Sequence, residues 1–114
     1  MKQNSVLDLI TELSFSVESF HKRFELVGPI TQEELLTRIP IQEEEVAELH
    51  QAILHETPER TANEAADVAY VAIGTLLRLD AELVRAALIE VIQKNNAKTS
   101  ITHHLNRSGK VVRR

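Results

Sequence analysis

Apolar positions recur at helical spacing along most of the chain. Val6, Leu9, Ile10, Leu13, Val17, Phe20 and Phe24 fall on one face of a 3.6-residue period, which predicts a first helix from Val6 to Leu26. Asn4 or Ser5 is placed to cap its start, and Gly28-Pro29 to end it. Thr31 followed by Glu34 has capping-box spacing and opens a second helix, in which Leu35 and Leu36 lead to Ile39-Pro40. A proline there removes a backbone donor and disfavours helix at Ile39. A kink is expected, or a short helix and then a new one from Pro40 to about Leu54, with Val46, Leu49 and Ile53 on one stripe. His55-Glu56-Thr57-Pro58 reads as a turn, with Thr57 as cap and Pro58 at the first helical position. The third helix then runs to about Leu79. Apolar residues from Ala65 to Leu77 almost encircle it, so it should be buried, partly against another subunit. Asp80 suits the cap of a fourth helix with Leu83, Val84, Ala87, Leu88, Val91 and Ile92 inward, fading near Asn95-Asn96. Beyond it, Ser108-Gly109-Lys110 looks like a turn and Val111-Val112 like a short strand or extended arm. The expected fold is all-α: one domain over residues 1–114, an up-and-down four-helix bundle with a core at about 4–96 and a basic extension at 97–114.

Composition narrows the chemistry. With 114 residues and no cysteine, a disulfide scaffold, a thiol nucleophile and Cys-based metal sites are excluded. The longest mostly apolar stretch, Val68 to Leu77, is about half of the roughly 20 residues that span a bilayer. The first ten residues lack a signal-peptide core. A soluble, cytoplasmic protein without membrane partners is therefore expected. Only Phe15, Phe20, Phe24 and Tyr70 are aromatic, too few for both a core and a stacking platform for single strands, so nucleic acid is not an expected partner. The net charge of −4 hides an asymmetry: all 17 acidic residues precede Val91, whereas Lys94, Lys98, Arg107, Lys110, Arg113 and Arg114 follow it without a single acid. A basic end on an acidic body suits an anionic partner such as phosphate.

The informative chemistry lies in the carboxylates. Glu44 and Glu45 are followed by Glu48, and Glu64 by Asp67. Each i, i+3 pair shares a helix face. If the second and third helices form an antiparallel hairpin, Glu48/Glu64 and Glu45/Asp67 are both centred on residue 56, the middle of the turn. The four carboxylates then meet at matched heights. A run such as Glu43-Glu44-Glu45 is ordinarily a solvated helix face. Four like charges brought together are different, because they repel and raise one another's pKa. No Lys or Arg lies between Glu43 and Pro58 or between Thr61 and Leu77 to offset them, whereas a divalent cation would. A di-iron bundle needs Glu-x-x-His on two helices, and Glu18-x-x-His21 is the only copy. All-carboxylate ligation points to Mg²⁺, with Mn²⁺ as the alternative.

Glu44-Glu45-Val46-Ala47-Glu48 resembles the EExxE segment of the MazG-like all-α nucleoside triphosphate pyrophosphohydrolases, and Glu64-Ala65-Ala66-Asp67 their ExxD motif. Asn95 and Lys98 resemble the family's N-x-x-K element. Phe20-His21-Lys22-Arg23-Phe24 and Gly109-Lys110-Val111 resemble the phosphoribosyl-ATP pyrophosphohydrolase-like branch of the superfamily. The resemblance implies Mg²⁺-dependent hydrolysis of (d)NTP to (d)NMP and pyrophosphate, in house-cleaning of the nucleotide pool. It implies Glu45, Glu48, Glu64 and Asp67 as metal ligands, and Glu44, Glu45 and Glu48 as the catalytic group, with Glu44 holding a metal indirectly or orienting water. It implies Asn95 and Lys98 as substrate contacts and a homo-dimer or homo-tetramer with sites near subunit interfaces. The family likeness also makes His21 a candidate nucleobase contact, although on its own residues it reads as a packing histidine, and Lys110 is placed to reach the triphosphate. Arg78 reads as a surface or inter-subunit ion pair. The competing class is a non-catalytic helical module, either sensing nucleotides through the same site or docking a protein partner through its acidic face.

Overall fold

A computed structural model describes residues 4–28 and 30–114. The described residues form four helices and one small hairpin: α1 (Val6–Arg23), α2 (Gln32–His55), α3 (Pro58–Arg78), α4 (Ala81–Asn96), β1 (His103–Leu105) and β2 (Val111–Arg113). The fold is all-α. The chain divides into two compact units, one ending at Asp80 and one comprising Ala81–Arg114. No helix among the described residues is long and apolar enough to cross a membrane.

Local chemistry sets the ends of the helices. The side chain of Ser5 accepts from the Asp8 N–H at 3.1 Å, and Thr31 and Thr57 do the same for Glu34 and Arg60. Helix α1 stops at Arg23, three residues before its expected end. Leu26 N–H donates to His21 O at 2.8 Å and Glu25 N–H to Lys22 O at 3.2 Å, with Glu25 in the left-handed region at φ 58°. This pair of bonds closes the helix in a Schellman motif, with a glutamate where glycine is usual. Pro29, expected to help end α1, lies outside the described residues. Of the two outcomes expected at Pro40, a new helix starting there does not occur: α2 is one continuous helix that contains the proline. One missing donor is tolerated because α2 is held along its length by side-chain bonds to α3.

Those bonds define an antiparallel hairpin. Arg38 donates from Nε to Thr75 Oγ1 (2.9 Å) and from Nη2 to Val71 O (2.7 Å), and Gln42 Nε2 donates to Val68 O (3.3 Å). Helix α1 lies along α3. Tyr70 Oη donates to Ser16 O at 3.4 Å, and the Phe20 and Tyr70 rings meet edge-on at 5.9 Å. Among the described residues, Val17 and Ala52 are the fully buried apolar side chains.

The other buried side chains are charged or polar, and the expectation for Arg78 is corrected here. Arg78 is not at the surface. It donates to both Glu34 carboxylate oxygens, with Nη2 at 2.5 Å from Oε1, and through Nη1 to Gly28 O at 2.9 Å. Like the acidic pairs, Glu34 and Arg78 are centred on residue 56. Thr31 therefore caps α2, but the carboxylate of Glu34 serves Arg78 instead of completing a capping box. In the single chain, the third helix hides little of its apolar surface. Its buried residues are Glu64, Gly74 and Arg78, while its apolar residues remain partly open.

In the second unit, β1 and β2 pair antiparallel with His104 opposite Val112. The side chain of Asn106 organises the turn by accepting from Ser108 N–H and Lys110 N–H, each at 3.0 Å. The expected turn at Ser108-Gly109-Lys110 and strand at Val111-Val112 are present, and His103–Leu105 supplies their partner strand.

Candidate metal and nucleotide site

The α2–α3 hairpin brings Glu45, Glu48 and Glu64 together. One carboxylate oxygen from each lies within 4.8 Å of the others. Glu45 and Glu48 are one turn apart on α2. Glu64 faces them from α3, one and a half turns after the helix start fixed by Thr57 and Pro58. Asp67 is exposed and stands outside the tight group, yet its charge acts on Glu45. Glu44 is exposed and acts on both Glu45 and Glu48 in the same way.

The electrostatics are those of crowded acids. Burial, followed by the charges of Asp67, Glu64 and Glu44, raises the Glu45 carboxyl above its ordinary range. The charge of Glu45 is the main cause of the same shift at Glu48. Glu48 is close enough to Glu45 and Glu64 for its side chain to interact with both. Even so, Glu45 Oε2 and Glu64 Oε2 are buried without any partner. An unpartnered buried carboxylate oxygen is costly. Two of them in an all-oxygen set, with like charges unrelieved, fit a hard divalent cation.

Among the described residues, one basic side chain touches the cluster. Arg60 lies a turn before Glu64 and donates from Nη2 to Glu64 Oε1 at 2.5 Å, while its Nε reaches Glu56 Oε1 at 3.4 Å. Arg60 lies just outside the stretch from Thr61 to Leu77 that is free of Lys and Arg. The sequence signal was available, since Arg60 and Glu64 are an i, i+4 pair.

His21, also in the first unit, is not one of the clustered residues. His21 is buried under α3, beside Gly74, where a Cβ would lie 2.9 Å from its Nε2 and 2.8 Å from Arg38 Nη2. Burial, then Arg38 and Arg78, lowers the pKa of His21, and its Nδ1 has no partner. Asn95, Lys98 and Lys110 belong to the second unit. Asn95 Nδ2 donates to Val91 O at 2.8 Å, and Lys98 Nζ to Asn95 Oδ1 at 3.0 Å. Lys98 lines a groove of about 460 Å³ with His103, His104 and Arg114. Lys110 is exposed at the hairpin turn.

No curated protein and no solved structure matches the chain. A family model does: residues 17–96 match phosphoribosyl-ATP pyrophosphohydrolase, a span holding α2, α3 and all the acidic residues above. The chain therefore belongs to the phosphoribosyl-ATP pyrophosphohydrolase family, within the superfamily that includes the MazG-like all-α enzymes, and is a hydrolase of the pyrophosphohydrolase type.

Proposed function

We propose that the protein is a Mg²⁺-dependent nucleoside triphosphate pyrophosphohydrolase that converts (d)NTP to (d)NMP and pyrophosphate in house-cleaning of the nucleotide pool. The observation that carries this reading is the carboxylate cluster with unpartnered buried oxygens on Glu45 and Glu64. Glu45, Glu48, Glu64 and Asp67 would hold the metal. A divalent cation there supplies Lewis acidity to phosphoryl oxygens and lowers the pKa of water. Water attacks the α-phosphorus, the bond from that phosphorus to the α–β bridging oxygen breaks, and pyrophosphate leaves. Glu44, exposed beside the cluster, orients the water, and Glu44 or Glu48 takes its proton. Asn95, Lys98 and Lys110 are proposed to meet the sugar and phosphates, and His21 the base side of the site.

The test is a product assay on a panel of NTPs and dNTPs, with Mg²⁺ and with EDTA. The expected result is monophosphate plus pyrophosphate, only with metal. Orthophosphate plus diphosphate, or turnover undiminished by EDTA, would overturn the reading. No turnover of any nucleotide would leave the family's hydrolase activity to other phosphoanhydrides.

A further inference from the structure

We infer that Arg60 is a phosphate-binding residue of this site, its guanidinium contacting the substrate's phosphoryl oxygens. The inference rests on the proposed function and adds to it a residue that neither acidic motif contains. Among the described residues, Arg60 is the Lys or Arg that hydrogen-bonds to the cluster. Its position is asymmetric. The side chain of Glu64 is 7% exposed, whereas that of Arg60 is 54% exposed. The arginine thus reaches from the open surface down to a buried ligand candidate.

Its donors are largely uncommitted. A guanidinium carries five N–H groups. One is engaged at short range by Glu64 Oε1, and one points at Glu56 Oε1 over 3.4 Å, at the weak end of hydrogen bonding. The remaining N–H groups face no protein acceptor among the described residues. Planar donors of this kind match two oxygens of one phosphate.

Charge gives the same answer. Glu44, Glu45, Glu48, Glu64 and Asp67 make the surroundings strongly negative, and a triphosphate adds more negative charge. A cation at the metal position serves the carboxylates first. Arg60 is the positive group already beside Glu64 that can serve the phosphates. Its bond to Glu64 uses Oε1 and leaves Oε2, the unpartnered oxygen, for the metal. Arg60 therefore need not leave Glu64 to receive substrate.

The alternative role is purely positional, with Arg60 only orienting Glu64, and the two roles separate by measurement. Wild type, Arg60→Gln and Arg60→Lys are compared at saturating metal for KM and kcat. Mn²⁺ binding without nucleotide is followed by titration calorimetry. A charge-assisted bond to phosphate predicts that Arg60→Gln raises KM about tenfold or more, with kcat changed less, and that Arg60→Lys recovers part of the loss. Mn²⁺ affinity should not weaken, because a neighbouring positive charge has been removed. A variant that binds Mn²⁺ more weakly but keeps its KM at saturating metal would overturn the inference in favour of positioning. Should the wild type turn over no nucleotide, the proposed function fails by itself. Arg60 is then judged by calorimetric binding of pyrophosphate in the presence of Mn²⁺, where unchanged affinity in Arg60→Gln overturns it.

Discussion

Glu25 occupies the left-handed position that closes α1, at φ 58° and without a glycine's freedom. A left-handed L-residue costs roughly 1–2 kcal/mol relative to glycine. Glu25→Gly keeps both closing bonds, since these use the backbone of residues 21, 22, 25 and 26. It should therefore stabilise the chain by about 1 kcal/mol, seen as a rise of about 4 °C in Tm. An unchanged or lower Tm would mean that the Glu25 side chain contributes something the backbone account omits. His21 makes the opposite kind of statement. It is buried beside Arg38 of α2 and Arg78 of α3, with Glu34 of α2 as the opposing charge, and its pKa is lowered from 6.5. The unfolded chain then binds a proton that the folded chain refuses. Stability is complete above pH 6.5 and is lost as pH falls through the lowered folded value. Thermal melts between pH 7.5 and 5 should show this loss, and His21→Gln should flatten it over the upper part of that range. The bonds to Arg78 lower the Glu34 carboxyl from its ordinary 4.5, so its contribution is present above pH 4.5 and is lost as pH falls through the lowered folded value.

At the scale of the elements, two features hold the helices of the first unit in register. Gly74 is the close-approach point of α3, and an added Cβ would lie under 3 Å from both Arg38 Nη2 and His21 Nε2. Gly74→Ala should cost about 1–3 kcal/mol, as overpacking does, despite the better helix propensity of alanine. A denaturant midpoint equal to wild type would show that Arg38 swings clear without loss. The second feature is the buried bidentate pair of Glu34 and Arg78, which ties the start of α2 to the end of α3. Removing only the carboxylate, in Glu34→Ala, leaves Arg78 buried and uncompensated and should cost about 3 kcal/mol or more. Both this pair and the acidic cluster follow from one number, the turn centre at residue 56. That is why the meeting of Glu48 with Glu64 was legible in the sequence: hairpin geometry depends on where the turn lies, and Thr57-Pro58 marks it plainly. Arg78 and Glu34 share the same centre, so the same geometry pairs them across the hairpin, although Arg78 taken alone reads as a surface ion pair. At Pro40 only the expectation of a new helix is overturned, and for a different reason. Local propensity argues for a break, but the bonds from Arg38 and Gln42 to α3 outweigh one lost donor, and such bonds are tertiary information. The partner strand at His103–Leu105 has no hydrophobic alternation to announce it and is set by the turn that Asn106 builds.

For the whole molecule, the decisive fact is how little apolar surface one chain hides. Among the described residues, Val17 and Ala52 are the buried apolar ones, while Leu88, Val91 and Ile92 on one face of α4 are 45%, 49% and 58% exposed. On the first unit, an apolar groove of about 540 Å³ runs between α2 and α3, lined by Leu35, Leu36, Ile39, Ala72 and Leu76 among others. A chain of 114 residues with this much open aliphatic surface gains too little from burial to balance its ordering entropy alone. Contiguous apolar faces of this extent mark association surfaces. A second copy of the chain is the expected occupant, because every copy carries the same faces and closed symmetric assemblies bury them mutually. Sedimentation equilibrium should therefore give a dimer or tetramer for the wild type. The double substitution Leu88→Glu with Ile92→Glu places two charges on the α4 stripe at i, i+4, where each would be desolvated in a subunit interface. It should shift the protein toward monomer and lower Tm in a concentration-dependent way, whereas a change confined to the surface of a monomer would leave both nearly untouched. A wild type that sediments as a monomer at all concentrations would show that the exposed stripe is covered by something other than a second copy.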